Sequence, residues 1–137
     1  MTNANKIIKK MLSHDDFSIW LGIELLEIKS GYCKLALIVK DEMLNGFQIA
    51  HGGICFSISD TALAFAANAY GMKCYTIETS LNYHQKALLG DKLIAETTEL
   101  SRDLKRAVYE VKVYRDEHDV ISTFRGIVHV SNKKWEI

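Results

Sequence analysis

Proline is absent from this chain, and so is any excess of charge: 17 basic residues offset 17 acidic ones over 137 residues. Neutrality removes the electrostatic footprint expected of a duplex nucleic-acid binder, and the pairs Lys105-Arg106 and Lys133-Lys134 read as solvated surface. Cysteine is scarce. Cys33, Cys55 and Cys74 are an odd number with no Cys-x-x-Cys spacing, and no two histidines share a helix face. That pattern argues against a metal site and for small core residues in a reducing, cytoplasmic setting. The N-terminus, Met-Thr-Asn-Ala-Asn-Lys, lacks the apolar run of a signal peptide. With no low-complexity segment or internal repeat, a single domain spanning 1–137 is expected.

One long apolar stretch is present. From Gly53 to Tyr70 the residues are apolar, small or weakly polar, and Asp60 carries the only charge. Asp60 near the middle, with Ser57, Ser59 and Asn68, argues against a membrane span, since a central carboxylate costs roughly 2.5–3.5 kcal/mol on insertion scales. The stretch reads instead as a helix buried on most sides and stopping at Gly71.

Around it, residues 4–12 form a short amphipathic helix with Ile7, Ile8, Met11 and Leu12 on one side. Residues 19–40 have strand character with a turn at Lys29-Ser30-Gly31, and 41–52 form a loop of a length that often marks function. Four strand-like runs follow, Lys73–His84, Lys92–Ser101, Ala107–Arg115 and Val120–Ser131, with short breaks that suit an antiparallel meander. Tyr109, Val111 and Val113 form the apolar face of the third run and should lean on the helix. The expected fold class is α+β, an antiparallel sheet wrapped around one long central helix, preceded by a short N-terminal helix.

The mouth of the central helix carries the chemistry. Gly52 and Gly53 open it, and a helix N-terminus offers unpaired N–H groups with partial positive charge. The Gly53 N–H is a candidate oxyanion donor for acyl transfer, a role typically worth ~2.7–4 kcal/mol, with Gly52 alongside. Asp60 is the candidate base or nucleophile, because a carboxylate is expensive to bury unless partnered and such groups cluster at reactive sites. Seven residues at ~1.5 Å rise separate the two by about 10 Å along the axis. One helix cannot easily bring both to one carbonyl, whereas two antiparallel helices across a twofold axis can. A dimer with composite sites follows. Asn45 could hold a water or a carbonyl, or serve only as a turn residue before Gly46. His51 could be a general acid, but reads rather as an orienting residue bonded within the loop. Thr76 could place a hydroxyl near the carboxylate or be an ordinary strand threonine. Any of Phe47, Phe56, Phe65, Tyr70 and Tyr83 could line a pocket.

Asn45, His51-Gly52-Gly53 and Asp60-Thr61-Ala62, with Met43-Leu44-Asn45-Gly46 and the late Phe124-Arg125-Gly126, resemble the hotdog-fold acyl-CoA thioesterases of the phenylacetic-acid-degradation (PaaI-type) group over roughly residues 15–131. The resemblance implies water attack on a coenzyme A thioester, with Asp60 activating water or attacking directly. It further implies that Gly53 polarises the carbonyl, that Asn45 positions the reactants, and that Thr76 matches a site where relatives place a hydroxyl beside the carboxylate. It implies an acyl-CoA substrate, no separate cofactor and no metal, and homodimers that pair into a homotetramer; neither a nucleic-acid nor a membrane partner is expected.

Two departures carry consequences. Phe47 and Gln48 stand where the group commonly has a histidine and a glycine, so Phe47 is expected in the acyl pocket and Gln48 to cost the loop a hinge. Gln85-Lys86 replaces an Arg-Pro pair, leaving Lys86 as a point charge for a phosphate. A hydratase or dehydratase of the same fold is the alternative enzyme, but those pair an aspartate with a nearby helical histidine, and none occurs between Asp60 and His84. A non-catalytic acyl-CoA sensor could dispense with Asp60 altogether.

Overall fold

The structure is a computed structural model that describes residues 1–137. Thr2 caps α1 (Asn3–Leu12), its hydroxyl accepting from the Asn5 N–H, and the helix buries Ile7 and Ile8. A second helix, α2 (Asp16–Leu21), takes the start of the region expected to be strand. Asp15 caps it by accepting from the Ser18 N–H and hydroxyl, and Gly22 ends it at φ +73°. Both signals, an acidic N-cap and a left-handed glycine, are written in the sequence, but the apolar residues that follow mask them.

The hairpin β1 (Glu24–Lys29) and β2 (Tyr32–Ile38) comes next, turning at Ser30-Gly31. Gly31 has φ +80°, and a Cβ there would lie 2.6 Å from the Glu99 carboxylate, so both backbone and space require glycine. A 3-10 turn at Asp41–Met43 leads to α3 (Gly52–Asn68), followed by β3 (Met72–Tyr83), β4 (Lys92–Arg102), β5 (Arg106–Arg115) and β6 (Asp119–Lys134).

The sheet order is β1-β2-β4-β5-β6-β3, all neighbours antiparallel. Only β4, β5 and β6 form the expected meander. β3 crosses to the far edge and pairs with β6, while β4 pairs back onto β2. The crossover lets the sheet curl so that α3 touches β2, β3, β4, β5 and β6. On its inner face Ile58, Ala62, Leu63, Phe65 and Ala66 meet Leu35, Leu37, Leu93, Val111, Val113 and Phe124, all essentially without solvent access. Each such large side chain contributes about 1.5–3 kcal/mol of burial free energy. Ala107, Tyr109, Val111 and Val113 are buried as the alternation implied.

The helix ends at Asn68, earlier than the expected stop at Gly71, which instead adopts φ +111° in the following turn. Asn68 secures that end. Its amide donates to Ala64 and Cys74 carbonyls, and its oxygen accepts from the Cys74 N–H (2.9 Å) and the Trp135 indole (2.8 Å).

Burial of α3 is one-sided. Gly53, Phe56, Ser57, Asp60, Thr61 and Ala64 form a stripe that the rest of the chain leaves partly open. Their spacing is that of a single helix face. Asp60 therefore stands on the open face of the helix, not within its packed side as its apolar neighbours suggested.

Candidate active site

Thr76 meets Asp60. The Thr76 hydroxyl donates to Asp60 Oδ1 at 2.9 Å. Register explains the aim: β3 pairs Thr76 with Val128 and Glu78 with Ile127, so Ile77 is an extra residue and the strand bulges beside Thr76. Bulges re-aim side chains in this way. Partial burial raises the Asp60 pKa above the ordinary aspartate value, and the Thr76 hydrogen bond partly offsets the rise. The result is a carboxylate poised to accept a proton, with Oδ2 unbonded.

At the mouth of α3, His51 is the N-cap, and its Nδ1 accepts from the Gly53 N–H at 2.9 Å. The hydrogen bond expected of His51 within the loop is present, and it occupies the donor assigned to Gly53. The neighbouring Gly52 N–H makes no hydrogen bond within the chain. Tyr83 donates its hydroxyl to the Gly52 carbonyl at 2.9 Å and packs so closely that a Cβ on Gly52 would stand 2.8 Å from that oxygen. A side chain on Gly52 would require Tyr83 to shift.

Asn45 Oδ1 accepts from the Phe47 and Ile49 N–H groups, fixing the loop as an Asx turn and leaving the amide NH2 unbonded. Gln48 holds φ +62°, the left-handed conformation a glycine favours. The loop keeps the turn that glycine would give and carries the strain of a side chain in it. Phe47 is 85% exposed. Within the single chain it lines neither of the cavities that hold the other candidate residues.

The residues divide between two cavities. One, of about 410 Å³, is lined by Asn45, Ile49, Gly52, Cys55, Tyr83 and Lys86, among others. The other, of about 270 Å³, contains Asp60 with Met11, Phe17, Phe56 and Phe65 in its wall. Within one chain the carboxylate and the glycine mouth do not share a cavity. Of the aromatic residues that could have lined a pocket, Tyr83 joins the first, Phe56 and Phe65 the second, and Tyr70 neither. Lys86 is exposed at the rim of the first. The sequence reading missed Met11 and Phe17, which precede the motif by dozens of residues. No three histidine, cysteine or acidic side chains gather in a metal-binding cluster.

The profile of the thioesterase superfamily matches residues 47–122, more than half of the chain. The chain belongs to the thioesterase superfamily. It is similar to an Archaeoglobus fulgidus protein named as a candidate esterase, with 37% identity over 125 residues, 91% of this chain and 81% of that one. Acyl-coenzyme A thioesterase PaaI of Escherichia coli is 29% identical over 119 residues, 87% of this chain and 85% of the relative. The solved structure of the E. coli PaaI protein superposes with a TM-score of 0.93 at 26% identity, covering 96% of each chain. The architecture of this thioesterase is therefore the hotdog fold, and the protein is a thioester hydrolase.

Proposed function

We propose that this thioesterase hydrolyses acyl-CoA thioesters, with an aromatic (phenylacetyl-type) or medium-length acyl group, in sites shared by two chains. The observation that carries the proposal is the Asp60–Thr76 pair, a half-buried carboxylate held by one hydroxyl on the open stripe of α3. In the general-base route Asp60 takes a proton from water as the water oxygen bonds to the thioester carbon. The carbon–sulfur bond then breaks, and coenzyme A departs as its thiol. In the nucleophilic route an Asp60 oxygen bonds to that carbon as the carbon–sulfur bond breaks and coenzyme A leaves as its thiolate, and water then cleaves the resulting anhydride, freeing the acid and the Asp60 carboxylate. Both need the ionised form, and neither needs a metal or a further cofactor.

The Gly53 N–H of the other chain supplies the oxyanion contact once His51 turns aside, with the unbonded Gly52 N–H next to it. Asn45 offers its free amide NH2 to the reactants, and Lys86 offers a point charge to a coenzyme A phosphate. Three features support shared sites: the two separate cavities, the open stripe on α3, and the edge position of β3 over 12 residues. Dimers pairing into tetramers, as the PaaI resemblance implies, fit this arrangement. Three free, buried cysteines support a cytoplasmic setting, and no helix is long and apolar enough to cross a membrane.

Subunit mixing tests the proposal. Asp60→Ala and Asn45→Ala chains are each expected to be inactive with acyl-CoA, and co-refolded mixtures to regain activity through heterodimers. Mixed dimers that form and stay dead would remove the shared site.

A further inference from the structure

We propose that Tyr83 is a positioning residue for the oxyanion donor, acting on the Gly53 N–H through the Gly52–Gly53 peptide. The proposal rests on the reading that this N–H meets the thioester carbonyl, and adds which side chain sets its aim and strength. The Gly52 carbonyl and the Gly53 N–H are the two ends of one peptide group. Tyr83 donates its hydroxyl to the carbonyl end at 2.9 Å, and His51 Nδ1 accepts from the N–H end at 2.9 Å. When His51 turns aside to release the N–H, the Tyr83 bond stays and keeps the peptide plane from swinging.

The same bond makes the N–H a better donor. Peptide resonance moves electron density from nitrogen to oxygen. A donor on the oxygen favours that shift and leaves the N–H more positive. Hydrogen bonds coupled in this way strengthen one another by about 10–30% each.

Strand geometry fixes Tyr83 for this task. It ends β3, paired with Ser122 of β6, and the next amide, the His84 N–H, donates to the Ile121 carbonyl at 2.8 Å. Its ring lies against Gly52, where a Cβ would stand 2.8 Å from the hydroxyl. Burial and the neighbouring Cys55 raise the Tyr83 pKa, so the hydroxyl keeps its proton, and its role as donor, at neutral pH. Hydroxyl, peptide and histidine all belong to one chain. The donor is therefore aimed before a second chain brings Asp60 to it.

Tyr83→Phe tests the proposal, because it keeps the ring and removes the hydroxyl. One oxyanion donor is worth about a hundred- to a thousandfold in kcat, and 10–30% of that free energy corresponds to about two- to eightfold. With phenylacetyl-CoA, kcat should fall by that factor while KM stays within about twofold, the split expected of an interaction made in the transition state. In isotope-labelled protein free of substrate, the Gly53 amide proton should move to lower chemical shift. The Gly22 and Gly31 amides serve as unmoved references, and far-UV circular dichroism confirms the fold. A rise in KM at unchanged kcat would make the hydroxyl a substrate contact and overturn the proposal, as would an unmoved Gly53 amide. Wild-type turnover is read first. Its absence would defeat the hydrolysis reading itself, whereas an active wild type matched in kcat by Tyr83→Phe would defeat only the role of Tyr83.

Discussion

Thr76→Val isolates one hydrogen bond at Asp60, the carboxylate proposed to react. Valine keeps the β-branched shape that suits a strand and removes only the hydroxyl that donates to Asp60 Oδ1 at 2.9 Å. That donor favours the ionised carboxylate against the burial that raises the Asp60 pKa. A hydrogen bond to a charged group is worth about 1.5–3 kcal/mol. Because Asp60 is only half-buried in the chain, solvent screening reduces this to about 1 kcal/mol. The sign is fixed: losing a donor to the anion raises the pKa, and either chemical route requires the anion. The acid limb of kcat/KM should therefore move to higher pH in Thr76→Val. Thr76→Ser, which keeps the hydroxyl, should stay near the wild type. The assay is free-thiol release from phenylacetyl-CoA between pH 4 and 9. A Thr76→Val profile that overlays the wild type across the acid limb would refute the coupling of Thr76 to a catalytic Asp60.

Asp60→Asn should fold, lose about a thousandfold or more in turnover, and melt at a higher temperature than the wild type at pH 7. A folded-state pKa raised by burial means Asp60 costs stability above its unfolded value; the Asn advantage should therefore vanish below about pH 3.9, and a melting temperature no higher at pH 7 would contradict it. Gln48→Gly relieves a side chain at φ +62°, a gain of about 1–2 kcal/mol offset by about 0.4–1 kcal/mol of added freedom in the unfolded chain. Urea melts should show a net stabilisation of up to about 1.6 kcal/mol, and a clear loss would mean that Gln48 makes contacts that hold the loop.

Local order was written in the chain. Alternation placed the strands, the apolar run placed α3, and the alternate residues of β5 found the core, because burial in a sheet follows a period of two. The motif was legible for the same reason: His51, Gly52 and Gly53 act on one another across two residues, within reach of local backbone geometry. What the sequence could not show is set by contacts between distant segments. Nothing before Thr76 announces that a bulge at Ile77 aims its hydroxyl at a helix 16 residues earlier. The crossing of β3 to the edge beside β6 is a choice among pairings of similar local quality, decided by how the sheet closes over α3. Phe47 is placed at the acyl pocket only by the family resemblance, and within the single chain its ring is exposed. Met11 and Phe17 looked like ordinary helix and strand apolars, and the packing of α1 and α2 beside α3 put them in the wall around Asp60. The sequence alone determined which groups could do the chemistry; only the tertiary structure decided which of them share a cavity, because cavities form between segments that are neighbours in space and strangers in the chain.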